Sequence, residues 1–469
     1  MKLDQVFNWV NRTQKFGSGA VEITRVHTDT RSLMAGDLFV ALKGETYDAS
    51  NFLAQAKSLG AVAAFAQHGL QASGLPGLEV GDSKLALGQL AAGWRAQFDL
   101  PLIAVTGSNG KTTVTQMIAA ILRSYKSDKA FATEGNLNND IGVPLTLLRL
   151  RANHEVGVVE LGMNHPGEIA YLAKLVMPKV ALVNNAQREH LEFMGTVQAV
   201  ARENGSVFES LDSGGVAVFP SDDAHTGLWR EMVGQRQTLT FALDSQADIT
   251  GQAVWTGESW QVNVCTPSGQ GQFTLQIAGR HNVKNALAAV ACVLASSVPL
   301  AVACSGLSAF IPVKGRSRAV RLNLPDRVVT LIDDTYNANP DSMQAAIDLL
   351  AELPGPRLLV MGDMGEVGSQ GPVFHAEAGR YATSQGIDQL FTLGEQAARA
   401  SEQFSGGQHF QDMAALNAAL LAQLESAGSI LVKGSRFMKM ERAVAAIAQY
   451  EKDFAQQQEL KQKDNRHAA

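Results

Sequence analysis

The chain has 469 residues, 46% of them apolar, and a formal net charge of −6. At about 100–200 residues per domain that suffices for two to four domains, each with a core of its own. The acidic balance argues against a dedicated nucleic-acid binder and asks any anionic ligand to find a local positive site, and the lack of an uninterrupted apolar run of about 18 residues gives no membrane span to expect.

The opening MKLDQVFNWV carries Asp4 and has neither an apolar signal region nor a small-residue cleavage site, so no secretory signal is expected. Cys265, Cys292 and Cys304 lack metal-ligand spacing and are expected as reduced, mostly buried thiols of a cytoplasmic protein. Residues 1–83 hold short apolar runs, DLFVAL and AVAAFA, expected to form a small α/β unit. Around the first of these, Thr28, Asp29, Thr30, Arg31, Lys43 and Glu45 crowd together. Thr30, Arg31 and Lys43 could recognise phosphate there; a solvated polar loop is the plainer alternative. A linker-like helix, KLALGQLAAGWRAQF, comes next.

From residue 101 strands and helices alternate. PLIAVTG, EVGVVELG, KVALVNN and GGVAVFP are expected strands, and TTVTQMIAAILRS, GEIAYLAKLV and residues 196–211 the helices between them, the pattern of a parallel sheet with crossover helices. The first strand runs into VTGSNGKTT. A usual phosphate loop wants glycine at position 105, where this chain has Val105; its first glycine is Gly107. The context still suits phosphate: an apolar strand, a glycine turn, then a helix whose N-terminus presents free N–H groups. Gly107, Ser108, Asn109, Gly110, Lys111, Thr112 and Thr113 are therefore candidate ATP-binding residues, Lys111 for the β- and γ-phosphates and Thr112 for Mg²⁺.

Glu160 lies in the apolar segment VGVVELG, where an unpaired charge is costly, so it wants a metal or a cation. His190 follows the end of the next strand and is a candidate second metal ligand. A motor or switch ATPase would show a strand ending in aspartate here; Glu160 followed by LGMNHPGE disfavours it. TLTFAL, ADITGQAVW, SWQVNVC and QFTLQIAG are expected as a small antiparallel sheet. GRHNVKNALAAVA then starts a helix with His281, Asn282 and Asn285, where Asn282 could simply be a cap. A third alternating block from residue 315, with strands RVVTLIDDT, RLLVMGDM, DQLFTLG and SILVKGS, is expected as a doubly wound α/β unit. Asp333 and Asp334 end its first strand, as contacts to ribose, metal or cation or as turn formers. The polar tail EKDFAQQQELKQKDNRHAA is expected to fray beyond its first turns. The expected domains are 1–83, 84–314 and 315–469.

Taken together, DTRSLMAGDLFVALKGETYDASNF, TGSNGKTT, TEGNLNNDIGVPLTLL, ELGMNHPGEIA, GRHNVKNALAA, DDTYNANPDSM, GDMGEVG and VKGSRFMKME resemble the Mur ligase family, in family order from about residue 28 to residue 441. That family's loop is TGxxGKT/S, which accounts for the displaced glycine. The resemblance implies three domains: the first binding the UDP end of a precursor, the second ATP, and the third closing over both. LFVALKGE and DDTYNANPDSM imply that the substrates are UDP-N-acetylmuramoyl-tripeptide and D-alanyl-D-alanine, joined by a monomeric enzyme with ATP and Mg²⁺ through an acyl phosphate. Lys111 and Thr112 then match the phosphate and Mg²⁺ residues, and Glu160 and His190 the ligands of a second Mg²⁺. Asn282 matches an adenine contact, with His281 beside it. Arg316 matches a hinge arginine and Asp334 a nucleotide contact. Asn138 and Asn139 fall near the precursor, and Asn337 and Asn339 where the dipeptide or peptide stem is read.

The chain also departs from the family, whose members commonly carry a carbamylated lysine on the helix after the histidine. Here Asn204 occupies that position, and no lysine occurs between Lys179 and Lys284. The expectation is a water-mediated metal site of Glu160, His190 and Asn204; Glu203 could supply the missing negative charge but stands about 100° of helix turn away, and alternatively Asn204 only helps end a helix beside Gly205.

Overall fold

The computed structural model describes residues 1–11, 13–324 and 327–467, in three sheets of five, nine and six strands. In the first, the order is Thr13–Phe16, Gly77–Val80, Ala63–Ala66, Asp37–Val40, Arg25–His27. Only the Thr13–Phe16 pairing is antiparallel. Asp37–Val40 is buried along its whole length, and its side chains alternate between two cores. Leu38 and Val40 face the core shared with the second unit, while Phe39 packs with Leu53 and Ala64 on the other side. The helix Ser83–Arg95 is capped by Asp82, which accepts from Lys84 N at 2.8 Å. Its last turn is anchored, not free: the buried Arg95 donates to the carbonyls of Val176 (2.8 Å) and Leu100 (3.1 Å). The expected linker therefore packs into the second unit.

The second sheet runs Gly269–Leu275, Trp260–Thr266, Ile249–Trp255, Gln237–Ala242, Val216–Pro220, Val180–Val183, Leu102–Thr106, Val156–Glu160, Ala130–Ala132. Two expectations change here. Gln237–Ala242 is parallel to its neighbour (Val216↔Gln237), because the helix Thr226–Val233 carries the chain back across the sheet before the strand begins. The antiparallel strands that follow extend the same sheet through the short parallel pairing Phe241↔Ile249. Trp260, Val262 and Val264 alternate inward from them. The helix Lys111–Lys126 buries Val114, Met117, Ile118 and Ile121, the i, i+3, i+4, i+7 stripe, against Val283, Ala286, Leu287 and Val290 of Arg280–Ala295.

The third sheet has the order Arg318–Leu324, Arg327–Asp334, Ser429–Lys433, Arg357–Gly362, Gln389–Leu393, Gln408–Phe410, with only the first pairing antiparallel. It brings the carboxyl ends of Arg327–Asp334 and Ser429–Lys433 side by side, where open α/β sheets place their ligands. The last helix runs Glu441–His467, past the point where the tail was expected to fray; the final two residues lie outside the described ones. No helix among the described residues is long and apolar enough to cross a membrane.

Candidate active site

The phosphate loop leaves the end of Leu102–Thr106 and turns into Lys111–Lys126. Gly110 sits at φ +80°, and a Cβ there would lie 2.6 Å from Asn285 Oδ1, so the position needs glycine. Neighbouring amides hold the loop. Asn109 N donates to Asn185 Oδ1 at 2.8 Å, while Thr106 Oγ1 and Gly107 N donate to Asn204 Oδ1 at 2.6 and 3.1 Å. Lys111 Nζ folds back onto Gly107 O (2.6 Å) and Ser108 O (2.9 Å) and pairs with Glu189 Oε1 at 2.8 Å.

Glu160 is buried at the end of its strand. Its Oε1 accepts from Thr112 Oγ1 (3.1 Å) and Asn138 Nδ2 (2.8 Å), and its Oε2 has no partner. A buried carboxylate oxygen beside a phosphate-loop hydroxyl is a fitting donor for Mg²⁺, which takes one or two carboxylates and leaves its other positions to phosphate and water. Among the described residues, no three His, Cys, Asp or Glu side chains stand together as a complete metal cage. His190, at φ +50°, lies against two carboxylates: Nε2 is 3.4 Å from Glu189 Oε1, and Nδ1 is 2.8 Å from Glu366 Oε2, a charge contact off the line of a hydrogen bond. Burial disfavours the charged ring, but those carboxylates outweigh it and the imidazole is pushed up to about 9.

The third unit closes the site from above. Arg316 donates through Nη2 to Thr112 Oγ1 at 3.0 Å and lies over the Tyr336 ring, 3.8 Å from its centre. Asp334 pairs with Lys433 Nζ at 2.6 Å and accepts from Ser317 N at 2.9 Å. Burial by itself would raise the Asp334 carboxyl; Lys433 and the Ser317 N–H prevail and hold it below the usual carboxylate range. Asn339 caps Pro340–Ala351 through Ser342 N (2.8 Å) and donates to Asn109 Oδ1 on the phosphate loop at 2.9 Å. A cavity of about 1180 Å³ lies between the second and third units.

That cavity gathers most of the residues singled out in the sequence: Ser108 through Thr113, Asn138, Asn139, Glu160, His190, Asn282, Arg316, Asp334, Asn337 and Asn339 line it. Thr30, Arg31 and Lys43 do not. Arg31 is exposed and turned onto Asp29 at 2.6 Å, Thr30 lies in the short helix Thr30–Ser32, and Lys43 is on the surface. Asn139 spends its Oδ1 on Gly142 N (2.8 Å), at the start of the helix Gly142–Leu147.

Other assignments change. Asn282 is not a cap: it is buried, donating to Ala278 O (2.7 Å) and accepting from Asn285 Nδ2 (3.0 Å). Asp333 accepts from Gly315 N (3.1 Å) and Thr335 Oγ1 (2.6 Å), which leaves it a local structural role. Asn204 does not line the cavity, because its oxygen is committed to Thr106 and Gly107. Glu203 supplies no charge to the site either; its carboxylate caps the helix Glu168–Val176 through Gly167 N and Ile169 N, both at 2.8 Å. The expected metal role of Asn204 is thus replaced by a structural one.

The sequence reading missed Glu189 and Lys433. Lys433 closes an all-buried strand, SILVK, and so carries the same signal as Glu160, a charge in an apolar run. Glu189 sits in a polar run after an apolar strand, with no such signal.

Comparison with known proteins fits this geometry. Residues 105–293 match the Mur ligase middle domain and residues 315–436 the Mur ligase, glutamate ligase domain. The UDP-N-acetylmuramoyl-tripeptide--D-alanyl-D-alanine ligase of Escherichia coli K12 is 41% identical over 431 residues, 91% of this chain and 94% of the relative. The chain belongs to the Mur ligase family. The enzyme of the same name from Haemophilus influenzae is 38% identical to this Mur ligase, over 92% of the chain and 95% of the relative. Among solved structures, MurF from Acinetobacter baumannii superposes with a TM-score of 0.89 at 36% identity, covering 95% and 98% of the two chains. MurF from Thermotoga maritima, in complex with ADP, gives 0.82 at 26% identity, covering 92% and 98%.

Proposed function

We propose that this Mur ligase joins D-alanyl-D-alanine to UDP-N-acetylmuramoyl-tripeptide with ATP, giving the pentapeptide precursor of peptidoglycan. The observation that carries the site reading is the convergence of Lys111, Glu160, Arg316 and Asp334 on one cavity between the second and third units.

A carboxylate is a poor acyl donor. In this reading the tripeptide's terminal carboxylate oxygen attacks the γ-phosphorus, ADP leaves, and the acyl phosphate forms. The dipeptide's amine then attacks the acyl carbon, and phosphate leaves with the carboxylate oxygen. The chain contributes position and charge more than covalent chemistry. Lys111 exchanges Glu189 for the β- and γ-phosphates. Arg316 reaches the same place from the third unit and adds positive charge where the transferred group becomes more negative. Asp334, held by Lys433, and the amide network around Asn282 take the nucleoside end. Asn138, already on Glu160, faces the precursor, and Asn139 stands beside it. Asn337 and Asn339 address the dipeptide. Thr30, Arg31 and Lys43 offer the first unit's exposed surface to the UDP end.

Thr112 and Glu160 would hold Mg²⁺, joined by His190 once it has given up its proton and its contact with Glu366. When bound, the ion would neutralise phosphate charge. The division of labour follows residues 1–83 for precursor, 84–314 for ATP and 315–469 for closure. A cytoplasmic setting goes with ATP as co-substrate and with three free cysteines. Phosphate release measured with the tripeptide precursor and Mg-ATP tests the assignment: it should require D-alanyl-D-alanine, and comparable release with diaminopimelate, lysine or glutamate as acceptor would overturn it.

A further inference from the structure

Three consecutive charged residues, Arg188, Glu189 and His190, leave the second unit and reach three different places. Glu189 takes Lys111 of the phosphate loop, and His190 meets Glu366 of the third unit. Arg188 makes the largest of these contacts. Its backbone N donates to Asp341 Oδ2 at 2.6 Å, and its Nε and Nη2 donate to Asp341 Oδ1 at 3.0 and 2.8 Å. Its Nη1 reaches both oxygens of Glu377, at 3.1 and 3.3 Å, and its guanidinium lies 5.3 Å from the centre of the Phe374 ring. Gln344 Nε2 steadies Glu377 from behind at 3.1 Å.

Asp341 lies in the first turn of Pro340–Ala351, the helix whose capping residue, Asn339, touches the phosphate loop. Glu377 and Phe374 belong to the next helix, Gly371–Ser384. One arginine of the second unit is therefore gripped by two helices of the third. Its side chain is 21% exposed and that of Asp341 20%, so water screens the pair only in part. The guanidinium fork fixes direction as well as distance, which a lysine cannot do.

We propose that Arg188 is a positioning residue that latches the third unit over the phosphate loop during acyl transfer. It touches no reacting atom in this arrangement; it holds closed the wall that carries Arg316 and Asn339. The closed wall keeps water from the acyl phosphate until the amine arrives. The inference rests on the ligase reading above. When the latch slips, the carboxyl–phosphate bond is hydrolysed: water replaces the amine, and free tripeptide and phosphate are released without an amide.

The test counts phosphate released and pentapeptide precursor formed in the same reaction. The parent enzyme should release one phosphate per amide. Arg188→Gln should turn over about tenfold more slowly, the scale of losing a partly screened charge pair. It should also release more than one phosphate per amide and show a larger radius of gyration by small-angle X-ray scattering. Arg188→Lys should recover only part of the coupling. If Arg188→Gln folds poorly, Asp341→Asn and Glu377→Gln weaken the latch from the other side and should uncouple in the same way, Glu377→Gln less because it is more exposed. Strict one-to-one coupling with unchanged scattering in these variants overturns the latch. A parent enzyme that makes no amide overturns the ligase reading instead.

Discussion

Replacing Lys433 with methionine tests whether the buried Lys433–Asp334 pair holds the third unit together beneath the site. Methionine keeps most of the stem and removes the ammonium. Lys433 is 4% exposed in its side chain and Asp334 14%, so the carboxylate left behind is largely cut off from water. Breaking a buried pair from one side costs about 3–5 kcal/mol. Asp334 keeps its bonds to Ser317 N and Oγ, which places the loss near the lower end, about 3 kcal/mol. Asn337 O also loses its 2.9 Å donor. The strand Ser429–Lys433 lies between two neighbours in the third sheet, and its Ile430, Leu431 and Val432 amides report opening of that unit by hydrogen exchange. A loss of about 3 kcal/mol makes them exchange about 100-fold faster. The double variant Lys433→Met/Asp334→Asn removes both charges and should recover most of the protection. A single variant within about 1 kcal/mol of the parent, or a double variant as unprotected as the single, would refute the reasoning.

Lys111→Ala should lower ligation by about 100-fold or more while the protein still folds, at a lower melting temperature because Glu189 loses its 2.8 Å partner; near-normal turnover sinks the phosphate-loop assignment. Arg316→Ala should reduce turnover far more than it weakens ATP binding to the free enzyme, since it reaches Thr112 from the third unit and adds charge where the transferred group becomes more negative; equal losses in binding and turnover argue against that. His375 is fully buried, accepts from Met364 N at 2.9 Å and donates to Gly371 O at 2.7 Å, and burial holds its imidazole below the usual range. Its contribution to stability is therefore fully present above the unfolded value of about 6.5 and is lost as pH falls below it. The urea midpoint of the parent should drop on acidification more steeply than that of His375→Gln, and parallel slopes would contradict this. Asn204→Ala should weaken nucleotide binding through a loosened loop while leaving the Mg²⁺ requirement unchanged, and activity should be indifferent to bicarbonate. Activity lost on stripping carbon dioxide and restored by bicarbonate would contradict the structural role of Asn204.

Much of the architecture was legible because the signals were local. The glycine turn between an apolar strand and an amphipathic helix announced the phosphate loop, and the apolar run around Glu160 announced a charge in need of a partner. Strand direction was less legible: TLTFAL reads the same in either sense, and the helix Thr226–Val233 decides it. The least legible features were partnerships. Asn204 carries no mark in the sequence of being tied to Thr106 and Gly107, because the three meet only when a helix and a strand pack together. Arg188 looks like any surface arginine until two helices of the third unit close on it. Asp333 and Asp334 are adjacent and alike in sequence, yet strand alternation sends one to Gly315 and Thr335 and the other to Lys433.

In the proposed reaction the tripeptide's carboxylate itself attacks the γ-phosphoryl group. The direct measurement labels both oxygens of that carboxylate with oxygen-18 and weighs the phosphate released during ligation. The account predicts one labelled oxygen in each phosphate, carried over when the amine displaces it from the acyl carbon. Phosphate without label, formed alongside amide product, would contradict it.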